Sequence, residues 1–104
     1  MEIKDYGLED LELAYAKIKL DLGKKIAEQR ENAGFPKVSY HGGKKSANLL
    51  FNTESGANLP NRDTLEYYIE LYQVREKTAD VLRETHDTAR KIKTEIIRKK
   101  RGWN

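Results

Sequence analysis

Only two prolines, Pro36 and Pro60, punctuate this chain of 104 residues, so the sequence on either side of them is free to run as long helices. Proline removes a backbone donor and crowds the preceding turn, whereas uninterrupted stretches with apolar residues every three or four positions form amphipathic helices. From Leu8 to Ala33 the apolar positions Leu11, Tyr15, Ile18, Leu22 and Ile26 recur at that spacing, with Leu8, Ala14 and Gln29 extending the face. Gly23 falls inside the pattern, which leaves one long helix and two shorter ones meeting near Leu22-Gly23 equally compatible. Asn32-Ala33-Gly34 predicts the stop, because glycine enters the left-handed conformation at low steric cost.

Beyond Pro60 the pattern resumes. Asp63 or Thr64 is placed to cap a helix whose stripe is Leu65, Tyr68, Ile69 and Tyr72. A further helix is predicted from about Lys77 to Lys100, presenting Val81, Leu82, Ala89, Ile92, Ile96 and Ile97, with His86 on or beside the stripe. Residues 35–63 are rich in Gly, Asn, Ser and Lys. One short helix is expected there, from about Lys45 to Thr53 and ended before Gly56; Val38, Tyr40 and Gly42-Gly43 argue against a long helix over 37–43. The expected fold class is all-α.

An apolar fraction of 38% against a charged fraction of 36% leaves a small core for this length, so the outer stripes are candidates for partner surfaces as well as for intramolecular packing. The net charge of +3 is modest but segregated. Residues 1–22 hold six acids and three bases, 23–62 three and seven, 63–87 seven and three, and 88–104 one acid and seven bases. A segregated basic surface is the electrostatic footprint of a polyanion partner, although basic side chains at a helix end also complement its dipole.

Several function classes find no residues to support them. Without cysteine there is no disulfide, thiol nucleophile or thiolate metal site. His41 and His86 are the only imidazoles, and neither is spaced with carboxylates as a metal ligand or general base, so no enzyme activity, metal or cofactor is expected. Gly42-Gly43-Lys44-Lys45-Ser46 lacks the earlier glycine and the apolar strand of a phosphate loop. No apolar run approaches the roughly 20 residues that cross a bilayer, and no signal core follows Met1, so a cytoplasmic protein with no membrane partner is expected.

The stretch Leu22-Gly23-x-x-Ile26-x-x-x-Arg30-x-x-x-Gly34 resembles the first helix of the Cro/repressor-like helix-turn-helix regulators. Ser46-Ala-Asn-Leu-Leu-Phe-Asn-Thr-Glu54-Ser55-Gly56 is similar to that family's recognition helix and its closing E-x-G. Leu59-Pro60, Thr64-Leu65 and Ile69-x-x-Tyr72-x-Val74 resemble the helix that follows. The sequence departs from the family at Lys37 to Gly43, about one residue short and with adjacent glycines where a small residue and a leucine are usual.

The resemblance implies a helix-turn-helix-like domain over 22–74, an N-terminal helical extension over 1–21, and a C-terminal helix with a basic tail over 75–104. It implies a sequence-specific regulator of transcription, repressor-like, acting on double-stranded DNA as a homodimer, in the setting of a small operon, phage or mobile element. The helix beginning near Lys45 would enter the major groove with Ser46, Asn48 and Asn52 toward base edges. Asparagine pairs bidentately with adenine and lysine donates to guanine, which adds Lys44 and Lys45 to the candidate readers. Lys24, Lys37 and Arg62 would meet phosphates. Arg30 is implied to pair with Glu54 as a structural tie rather than a DNA contact. The rival reading is a protein-binding module, an inhibitor, antitoxin or adaptor, that offers its amphipathic helices to a protein partner. A coiled-coil oligomer with a basic tail would require a disordered centre.

Overall fold

Four helices and no strand make up the described part of the chain; the computed structural model describes residues 6–35 and 47–102. The first, α1 (Leu8–Asn32), is one unbroken helix of 25 residues, so Gly23 interrupts nothing. It ends as Gly34 predicts: Gly34 sits at φ +83°, its N–H donates to the Glu31 carbonyl at 3.0 Å, and the Phe35 N–H reaches the Arg30 carbonyl at 3.1 Å. These two bonds satisfy carbonyls that the helix would otherwise leave open.

The short α2 (Ala47–Glu54) is followed by α3 (Arg62–Leu71) and α4 (Glu76–Lys100). The cap of α3 is Asn61, neither Asp63 nor Thr64: the Thr64 N–H donates to Asn61 Oδ1 at 2.8 Å, and Thr64 itself is buried. Asp63 lies instead in the first turn, where a negative charge suits the helix dipole. A third turn joins α3 to α4. Here the left-handed position is held by a non-glycine residue, Gln73 at φ 49°, with the Gln73 N–H on the Glu70 carbonyl and the Val74 N–H on the Ile69 carbonyl.

Helix α4 lies antiparallel to α1. Leu22 and Ile26 share the main core with Leu50, Leu65, Tyr68, Ile69, Tyr72, Ala79 and Leu82, and Leu11 packs with Ile92 and Ile96 in a smaller cluster at the other end. Burying each large apolar side chain contributes on the order of 1.5–3 kcal/mol. The seam along α4 runs through Ala79, Leu82, His86, Ala89, Ile92 and Ile96, narrower than expected, and leaves Val81 46% and Ile97 39% exposed. His86 is wholly buried, and its Nε2 lies 2.6 Å from the Pro60 carbonyl oxygen. A carbonyl only accepts, so Nε2 carries the hydrogen and fastens the loop before α3 to the middle of α4.

The outer surface of α3 and α4 carries an ion-pair network. Arg83 donates through Nε and Nη2 to the two Glu66 carboxylate oxygens at 2.9 Å each, while Arg62 reaches Glu66 at 3.0 Å and Asp87 at 2.9 Å. Hydrogen bonding from Arg83, opposed in part by burial, holds the Glu66 carboxyl below its ordinary range.

Gln73→Gly is expected to stabilise the protein. The left-handed conformation costs a side-chain-bearing residue about 1–2 kcal/mol, of which glycine's extra chain entropy takes back roughly half. The urea midpoint should rise by the equivalent of about 0.5–1 kcal/mol; an unchanged or lower midpoint would show that Gln73 is not strained.

Candidate nucleic-acid interface

Helix α2 has too few residues to be stable alone, and its position is set by what α1 offers it. Leu50 and Thr53 point inward and are 1% exposed. The Thr53 hydroxyl donates back to the Leu49 carbonyl at 2.9 Å, so it brings no unsatisfied group into the core. Gly23 is the seat. A β-carbon there would lie 2.5 Å from the Thr53 carbonyl oxygen and 2.6 Å from that of Glu54, so only glycine lets the two backbones meet. Gly56, at φ +81°, turns the chain away immediately after, with its own Cβ direction blocked by Leu20 Cα at 2.8 Å.

Arg30 locks this arrangement. Its side chain is 5% exposed, and Nε donates to Glu54 Oε2 at 2.7 Å while Nη1 donates to the Phe35 carbonyl at 2.8 Å. One guanidinium thereby ties the end of α1, the end of α2 and the chain leaving α1. Tyr68 and Tyr72 stack beside it, centroids 5.8 Å apart. Burial, and after it the Glu54 carboxylate, pushes the Tyr68 hydroxyl up to about 12, and the same two causes raise that of Tyr72.

With Leu50 and Thr53 inward, the opposite face of α2 carries Phe51 and Asn52, and Ser55 follows just beyond the end of the helix. Phe51 is 58% exposed there, Asn52 is half-buried and Ser55 is exposed. Asn48 precedes Asn52 by one turn of the α2 backbone. Lys37, Lys44, Lys45 and Ser46 lie outside the described residues, as does the segment 37–43 where the sequence departs from the family pattern. Arg62 begins α3, where its guanidinium is divided between Glu66 and Asp87. Lys24 is exposed on α1.

Two adjoining cavities of about 360 and 490 Å³ flank the loop between α2 and α3, sharing Leu59, Pro60, Asn61 and Lys93 in their walls. The first adds Arg62, His86 and Arg90; the second adds Lys19 of α1 and Leu49 from the first turn of α2. Lys19 Nζ sits over the Tyr15 ring at 4.6 Å and contacts the Ala57 carbonyl at 3.4 Å. Neither the exposure of Phe51 nor this groove is legible in the sequence, because both depend on how α2 and α4 lie against α1. The basic character of 88–104 was visible, but which cations meet the loop depends on how α4 lies against it. Among the described residues no helix is long and apolar enough to cross a membrane. Comparison with protein-family models, with curated proteins and with solved structures returned no match.

Two outcomes follow. Arg30→Met should cost about 3–5 kcal/mol in urea unfolding, because Glu54 is left buried without its partner, and Arg30→Met/Glu54→Leu should recover much of the loss. A single variant within 1 kcal/mol of the parent (roughly the effect of a surface pair) would refute the buried tie. Secondly, a group whose folded-state value is raised contributes stability that is complete below its unfolded value and lost as pH climbs through the folded one. Tyr68 therefore predicts a stability plateau up to pH 10.0 and a decline toward about 12, which Tyr68→Phe should lessen when thermal midpoints are compared across that range.

Proposed function

We propose that this protein binds double-stranded DNA sequence-specifically as a repressor-like regulator of the Cro/repressor kind, with the outward face of α2 set into the major groove. The observation that carries the reading is the way α2 is held. The residues by which the sequence resembles that family occupy linked places: Gly23 takes the backbone of 53–54, Arg30 pairs with Glu54, and Leu22, Ile26, Leu65 and Ile69 share one core. A short helix fixed by a buried ion pair and a glycine seat, with asparagines at positions 48 and 52 of its sequence, is a rigid element for reading base edges. The basic groove beside it suits the phosphate backbone.

A homodimer belongs to this reading, since two copies related by a two-fold axis match a palindromic site. Leu13 and Leu20, 57% and 43% exposed and seven residues apart on one face of α1, are the apolar surface that favours it.

Selection from a randomised duplex pool tests the proposal. Enrichment of one motif is expected, with two chains bound per palindromic duplex. Asn48→Ala and Asn52→Ala should each lower affinity for that duplex about 10- to 100-fold while leaving binding to random duplex unchanged. A pool that yields no motif at any salt concentration would remove this reading and leave the protein-binding module, with Leu13, Leu20 and Phe51 as its exposed anchors.

A further inference from the structure

We infer that Arg90 and Lys93 form a phosphodiester clamp on α4, holding the DNA backbone beside the loop at 57–61 while α2 reads the bases. The inference rests on the duplex-binding reading above and adds a second contact region, supplied by a helix outside the segment that resembles the helix-turn-helix family.

The cations near α3 and α4 fall into two groups. Arg83 is consumed by Glu66, Glu76 and Asp80, Arg62 by Glu66 and Asp87, and Arg98 lies 3.9 Å from Glu95. Arg90 and Lys93 have no ion pair among the described residues, whereas Glu76, Asp80 and Asp87 in the first half of α4 are taken by Arg83 and Arg62. They stand on the same face as His86 and Ile97, the face that closes the groove. Across the two cavities the described walls carry Lys19, Arg90 and Lys93, none of them in an ion pair among the described residues, beside the already paired Arg62, and no acidic side chain. A concave surface lined by one sign of charge focuses its potential on an anion. The amino end of α3, capped by Asn61, opens on the same wall and adds the positive end of a helix dipole.

Geometry selects the occupant. Leu49, in the first turn of α2, lines the groove that Lys93 also lines. A duplex receiving that turn in its major groove therefore carries a sugar-phosphate strand past the loop and onto α4. His86 makes the clamp rigid: its bond to the Pro60 carbonyl fixes the loop to α4 one turn before Arg90, so the cations and the amino end of α3 keep their spacing.

The test uses the full chain and the tightest duplex recovered from the pool, with affinity measured against KCl concentration. Arg90→Ala/Lys93→Ala is compared with Lys77→Ala/Lys91→Ala, which removes the same charge from exposed positions outside both cavities. Each phosphate neutralised contributes about 0.9 to the slope of log affinity against log salt, so the clamp variant should flatten the slope by about 1.8 and the control should not. The order of preference among pool sequences should stay as in the parent. Equal slopes in the two variants overturn the clamp while leaving the DNA reading intact. If the pool yields no motif, the specific reading falls, and the same comparison on random duplex at low salt decides the clamp alone. Absence of any duplex binding overturns both.

Discussion

A guanidinium withdrawn from water has to be surrounded by acceptors, and in this protein meeting that requirement organises the chain around Arg30. Its position near the end of α1 means that the acceptors come from elsewhere: Glu54 closing α2 and the Phe35 carbonyl leaving α1. Neither can move without stranding a buried charge, which costs several kcal/mol. The Gly23 seat acts with it, since the same approach that lets Arg30 reach Glu54 brings the backbone of 53–54 onto α1. Two contacts, one polar and one steric, thus define where an eight-residue helix lies. The tyrosine stack beside Glu54 fills the remaining volume with rings whose hydroxyls burial raises above their ordinary value.

The helices were legible in the sequence because their period and their stops are local properties. Gly34 and the apolar stripe of α1 needed nothing beyond neighbours three and four residues away. What Gly23 does was not legible. Local propensity marks it as a possible break, whereas its role is a contact with residues thirty positions later. The cap of α3 was misassigned for a related reason: Asn61, Asp63 and Thr64 all suit a cap by type, and the register is chosen by the chain path through Pro60, which His86 fastens. Val81 and Ile97 fit an apolar stripe at helical spacing, but an antiparallel partner covers only a narrow seam of α4. The Arg30–Glu54 pair was indicated by the family resemblance alone, since no rule of composition selects Glu54 from among 17 acids.

The charges followed the same division. Their segregation along the chain could be counted, whereas their state of compensation could not. In the fold, the acidic start of α4 neutralises Arg62 and Arg83, and the network joins α3 to α4. The basic half of the helix keeps Arg90 and Lys93 outside such pairs and turns them toward the loop before α3. A helix with one half stitched to its neighbour and the other half electrostatically open divides scaffold from surface along its length.

The antiparallel pairing of α1 with α4 bears on how the molecule comes together. Leu11, near the start of the described chain, finds its partners in Ile92 and Ile96, near its end. Synthesis proceeds from the amino end, so the outer half of α1 emerges long before anything exists to cover it. The Leu22–Ile26 half can collapse earlier, on α2 and α3. Folding should then proceed inward to outward along α1, with the Leu11 cluster the last to close and the first to open. A long-range contact of this kind slows assembly more than it alters stability, because the connecting loop must be ordered before the contact repays it. The amino-terminal turns of α1 are the part of the fold whose native environment depends most on α4 having been made.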